Sequence, residues 1–231
     1  MVLADDNFAT IVAAVRVGRA IFANLKKVVY FLLSANISEV LVMLFGFMLF
    51  ASYGEPLLAT QLLWINLVTD GLPAVALGFD PPLPGLMDRP PERTHHILGR
   101  DRLVRLAGQG AILAAGTLLA FVYGFFVRDL DFEHARTVTF TALVIVQLMH
   151  TYNVRADGST LARVGFGSNR LLAVSLGFSL LLHALVVYTP IGQELFETVA
   201  LDPLDWVVVF VLGAATFIAN GLAMGTIVRR S

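Results

Sequence analysis

Cysteine does not occur in this 231-residue chain. That excludes disulfides, thiolate metal ligands and thiol nucleophiles together. Charge is scarce too: 14% of residues are Asp, Glu, Lys or Arg, where a soluble domain carries roughly a quarter. The formal net charge is −1, so no basic surface is offered and nucleic acid is not expected as a partner. No internal repeat and no low-complexity tract organises the sequence. The opening MVLADDNFATIV puts acids where a secretory leader has positive charge. Membrane insertion is therefore expected to rest on the apolar runs themselves.

Those runs dominate what is present. Hydrophobic residues make up 57% of the chain, and the mean hydropathy is +0.78. Six stretches, about residues 28–50, 57–79, 103–127, 137–153, 171–188 and 206–228, approach or exceed the roughly 20 residues that cross a bilayer as helix. Before them, Asp5 and Asp6 suit a helix start. Phe8, Ile11, Val12, Val15 and Phe22 then form a stripe edged by Arg16, Arg19 and Lys26. This amphipathic part is expected to lie outside the membrane and run without a break into the first span. The expected fold is thus an all-α membrane protein: residues 1–27 form a helical stalk, and residues 28–231 form a unit of six transmembrane helices.

Lys and Arg set the expected orientation. All but two of the sixteen, Arg128 and Arg136, fall in the stalk, the 80–105 loop, the 155–170 loop or the tail. With both termini cytoplasmic, these four regions share one side, as the positive-inside rule requires.

Polar residues within the spans carry the functional question. Ionisable side chains at mid-membrane cost at least about 2.5–3.5 kcal/mol by insertion scales. Two acids nevertheless lie deep: Glu39 in the first span and Asp70 in the second. Asn36 precedes Glu39 by three residues, and Asn66 precedes Asp70 by four, spacings that share a helix face. A short turn joins the two spans, so both polar faces can converge. Thr69, Gly71 and Pro73 interrupt the second span. Pro73 cannot donate to the carbonyl of Thr69, Gly71 allows local unwinding, and freed carbonyls at membrane depth are cation ligands. Carboxylate, amide and hydroxyl oxygens suit hard cations such as Ca2+, Mg2+ or Na+. Taken singly, Asn36 or Thr69 reads as interhelical hydrogen-bond glue; so do Gln147, His183 and Asn220. His95 and His96 read as solvated, and the acidic stretch after Tyr188 as an extracytoplasmic surface.

The strings NLKKVVYFLLSANISEVL (24–41) and LLWINLVTDGLPAVALGFDPP (62–82) resemble the fifth and sixth membrane helices of P-type cation-transporting ATPases. The similarity is greatest to calcium pumps of the sarcoplasmic-reticulum type and their bacterial relatives, and it extends over essentially the whole chain as family helices five to ten. The resemblance implies that Asn36, Glu39, Asn66, Thr69 and Asp70 ligate the transported cation, Ca2+, with Asp70 shared between two sites. Gln147 stands where the sarcoplasmic-reticulum pump has a glutamate ligand, which leaves a second bound Ca2+ open. The resemblance also implies ATP and Mg2+ as requirements of domains not found in this sequence. No DKTGT or TGES motif occurs. The implied partners are the lipid bilayer and an N-terminal half holding the actuator, phosphorylation and nucleotide domains with the first four spans. On this reading Met1 falls at an internal family position, and the chain is a multi-pass protein of a prokaryotic plasma membrane. It would not hydrolyse ATP alone. Two alternatives stay open: a passive cation channel or carrier acting alone, and an inactive fragment of a truncated pump.

Overall fold

The computed structural model describes residues 8–50, 52–82, 85–88, 98–157 and 159–225. The expected helix start at Asp5 and Asp6, the loop residues Arg89, Arg93, His95 and His96, and the tail pair Arg229 and Arg230 lie outside them. All regular structure among the described residues is helical.

Helix α1, Phe8–Phe50, is a single helix of 43 residues, about 65 Å long at 1.5 Å per residue. The next apolar run is not one helix. It comprises α2 (Ala59–Trp64), a π-helical turn (Ile65–Thr69) and α3 (Gly71–Gly78), with Asp70 at the junction. Helix α4 (Arg100–Val122) ends in a second π turn, Tyr123–Val127. Helix α5 spans Phe132–Arg155 and starts on an Asp131 cap. The one-turn α6 (Leu161–Val164) leads to α7 (Arg170–Tyr188), which Asn169 caps. The acidic stretch expected as plain surface contains α8, Pro190–Phe196, whose Phe196 carbonyl accepts from Gln61 at 2.9 Å. Helix α9 spans Pro203–Met224.

Four helical stretches are long and apolar enough to cross a membrane: Ala9–Phe50, Arg100–Val127, Arg170–Tyr188 and Pro203–Met224. The other two expected spans differ for different reasons. The 57–79 run is divided by its π turn. Helix α5 is rich in polar side chains, and nearly all of it is buried among the others. Three of its hydroxyls are satisfied within the helix: Thr137, Thr139 and Thr151 donate to Glu133, Ala135 and Leu148 carbonyls at 2.7–2.9 Å. Back-bonding of this kind lets a threonine sit inside a helix bundle without a partner helix. Phe140, Leu143, Val144 and Leu148 of the same helix form the main core with Val42, Ile65 and Ala114. Helices α1 and α4 pack closely at Gly110, where a Cβ would stand 2.5 Å from Ile37.

One end of the bundle is fastened by Asp205, fully buried at the start of α9. Arg128 reaches one carboxylate oxygen at 2.6 Å and His134 lies 2.8 Å from the other.

Candidate cation site

Three helices bring polar groups to one place near the middle of the bundle. Glu39 on α1 is buried, and both its oxygens are engaged: Asn66 Nδ2 donates to Oε2 at 2.7 Å, and Gln147 Nε2 donates to Oε1 at 3.0 Å. Asn66 comes from the π turn and Gln147 from α5, so one carboxylate gathers all three elements. Asp70, where the π turn meets α3, lies close enough to Glu39 for the two carboxylates to interact electrostatically.

Asp70 is buried, at 1% exposure, yet neither carboxylate oxygen has a hydrogen-bond partner. The carbonyl oxygen of the Gln147 side chain is likewise unpartnered. Buried polar atoms are paired in the great majority of cases, and orphans ask for an explanation. At Asp70 and Gln147 the orphans are three oxygens, with a second carboxylate nearby; one turn further along α5 the buried His150 Nδ1 is unpartnered as well. The oxygens are the donor chemistry of a hard cation, and two carboxylates balance one divalent charge. Among the described residues no cluster of three or more His, Cys, Asp or Glu forms. Further donors at this place would therefore be amide, hydroxyl or backbone oxygens.

The backbone around Asp70 is irregular in a specific way. Its N–H bonds to the Ile65 carbonyl at 2.8 Å, five residues back, and Pro73, two residues into α3, has no N–H to offer Thr69. Gly71 is not required there by crowding. A Cβ there would meet only the Asn66 carbonyl oxygen, at an ordinary 3.8 Å. The π turn and the proline both contribute to the irregularity.

The candidate residues divide by position. Glu39, Asn66 and Gln147 are joined by hydrogen bonds, and Asp70 is their neighbour. Thr69 is buried, but its hydroxyl donates to the Ile65 carbonyl at 3.0 Å. Asn36 is exposed on the outside of α1 and forms no hydrogen bond to the others.

The family model described as "Cation transporting ATPase, C-terminus" matches residues 54–224. The chain belongs to the cation-transporting ATPase family. Within that family, a "Calcium-transporting ATPase" from Bacillus subtilis (strain 168) is 39% identical over 223 residues, covering 96% of this chain and 25% of that protein. "Calcium-transporting ATPase 1" of Bacillus cereus is 32% identical over 235 residues, 95% of this chain and 26% of its own length. "Endoplasmic reticulum calcium ATPase srcA" of Aspergillus fumigatus is 32% identical over 247 residues, 93% of this chain and 25% of its own length. The chain thus spans about a quarter of the length of the curated cation-transporting ATPases it matches, and it is an integral membrane protein.

Two further buried polar groups escaped the sequence reading. His150, one turn beyond Gln147 on α5, is fully buried with Nε2 3.0 Å from the Ser34 hydroxyl of α1. Its spacing of three from Gln147 was the available signal. Asp80 stood at a presumed loop edge, yet it is buried among cations from two other helices. Its partners lie 53 and 75 residues away, a pairing that spacing within one helix cannot disclose.

Proposed function

We propose that this chain forms the ion-binding half of the transport domain of a P-type ATPase, and that the transported ion is Ca2+. The observation that carries the proposal is Asp70, buried with two unpartnered oxygens beside the Glu39 carboxylate. The amides of Asn66 and Gln147 donate to the two oxygens of Glu39. Turning each amide about its last torsion presents a carbonyl oxygen in place of the NH2 group. The same four side chains can then face a cation with oxygens alone. Glu39 and Asp70 supply the charge; Asn66 and Gln147 supply neutral donors, with Thr69 at the margin of the site and Asn36 reaching it only if its exposed side chain turns inward.

On this reading six helices cross the bilayer. Helix α5 is covered by its neighbours, and the broken α2–α3 element is held together by α1, α5 and α7, so neither needs an all-apolar surface. Both termini face the cytoplasm, where the distribution of Lys and Arg favours them, and residues 1–27 form the stalk. The membrane is the plasma membrane of a prokaryote, in keeping with the two Bacillus relatives. Phosphorylation by ATP with Mg2+ belongs to parts of the complete protein outside this sequence. Acids in such a site exchange protons for metal as it changes face, so proton countertransport is expected.

The test is Asp70→Asn in the complete protein, reading calcium-dependent phosphorylation by ATP and calcium uptake into vesicles. Loss of both is expected. Unchanged calcium-dependent phosphorylation would remove Asp70 from the ligand set. Selective calcium flux through this chain alone in liposomes would instead favour a passive pathway.

A further inference from the structure

We propose that Asp80, held by Arg155 and Asn169, is a positioning group for the cation site, setting the height of Asp70 against Glu39. The proposal rests on the cation-site reading above and concerns what keeps that site in register.

Helix α3 has eight residues, about 12 Å, and Asp70 stands at its first end. Nothing in so short a helix fixes its position along its own axis; its far end does. The last carbonyls of a helix lack partners within it, and here neighbouring helices supply them. Asn24 of α1 donates to Asp80 O at 2.6 Å and to Gly78 O at 3.2 Å. Asn169, at the start of α7, donates to Ala76 O at 3.0 Å.

The Asp80 side chain then ties the same end to three helices. Lys27 of α1 meets one oxygen at 2.5 Å, Arg155 Nε of α5 meets the other at 2.7 Å, and Asn169 Nδ2 reaches that same oxygen at 3.0 Å. The carboxylate is 1% exposed and the guanidinium 2%. Arg155 is fixed in turn by the Gly165 carbonyl at 2.8 Å and by the Ser168 hydroxyl.

The geometry is that of two parallel rods pinned at both ends. Helix α5 carries Gln147, bonded to Glu39, and eight residues later Arg155, bonded to Asp80. Eight residues of helix rise about 12 Å, the length of α3 between Asp70 and the Asp80 clasp. Helix α1 likewise carries Glu39 at the site and Lys27 at the clasp. A shift of α3 along its axis therefore breaks the clasp, and a loosened clasp lets Asp70 slide relative to Glu39 and Gln147. Ligand sets tolerate displacements of only about 0.5 Å.

The experiment uses the complete protein in lipid nanodiscs and measures calcium affinity, calcium stoichiometry and the thermal midpoint on the same samples. Asp80→Asn and Arg155→Gln are expected to weaken calcium binding about 10- to 100-fold, the range found when groups behind metal ligands are removed, with stoichiometry retained. Arg155→Lys, which keeps the charge, is expected to restore most of the affinity. Phe121→Leu, a buried change at the opposite end of the bundle, serves as a destabilised control. Affinity losses no larger than the control's at equal loss of thermal midpoint would overturn the proposal, since the clasp would then be a stabilising network only. Should Asp80→Asn fail to fold, Asn169→Ala, which removes hydrogen bonds to Asp80 and Ala76, is read in its place. A several-fold weaker affinity is expected, and an unchanged one overturns the proposal. If the unaltered protein binds no calcium, or Asp70→Asn binds it equally well, the site reading itself falls. That outcome is distinct from losing the positioning role alone.

Discussion

Replacing Asp70 by alanine should make the ion-free protein more stable. The side chain is 1% exposed and neither oxygen has a partner, and an unsatisfied buried polar group costs about 1–3 kcal/mol, more when charged. Alanine removes the group and keeps the helical backbone, since Ala is the best helix former. A gain of about 1–3 kcal/mol is read as a rise in melting temperature. Calcium reverses the order. A ligand present at 100 times its Kd stabilises the native state by about 2.7 kcal/mol, and the unaltered protein gains this while the variant does not. The two thermal curves should therefore cross as calcium is raised. Melting in nanodiscs, in chelator and at a series of calcium concentrations, reads the crossing directly. An Asp70→Ala protein that melts lower in chelator would refute the argument from the orphaned oxygens. One that calcium stabilises as much as the unaltered protein would refute the ligand assignment.

Three further outcomes follow from the packing and pairing described above. Gln147→Glu loses the donor to Glu39 and sets two carboxylates together, a repulsion of about 4 kcal/mol at 4 Å and an effective dielectric of 20; melting should fall in chelator and recover with calcium, and equal losses in both would show that the residue only packs. Gly110→Ala drives a Cβ to 2.5 Å from Ile37 and should cost about 1–3 kcal/mol of stability by chemical denaturation, whereas Gly108→Ala on the same helix, with open space around it, should cost nothing. Asp205→Ala leaves Arg128 and His134 without their shared partner and should lower the melting temperature; an unchanged melting temperature would remove Asp205 as the fastening of that end.

Apolar runs were legible because lipid sets both their length and their composition. Helices α1, α4, α7 and α9 therefore lie where the sequence placed them. The polar interruption at Asn66, Thr69, Asp70 and Pro73 was legible as an anomaly, but its form was not. A π turn is decided by which carbonyl each N–H finds, and both choices fit the same residues. Arg155 shows a second limit. Counted with the loop cations, it is among the largest fully buried side chains in the molecule, because a carboxylate 75 residues away meets it. Gln147 was ambiguous for the same reason, since its donor meets Glu39 across 108 residues. Asn36 shows the converse. A spacing of three from Glu39 suggested a shared face, but Asn36 lies exposed while Glu39 is buried. Three residues on a helix differ by about 60° in direction, enough to separate the inside of a bundle from its outside.

The buried, polar character of α5 bears on how the molecule is made. A translating ribosome delivers α5 to the membrane before α7 and α9 exist, and α9 covers a large share of its surface. Asn153 of α5 must therefore wait until α9 arrives, and it then donates to the Phe217 carbonyl at 2.9 Å. A nascent chain stopped before residue 203 would lack that bond and the cover that α9 gives to α5.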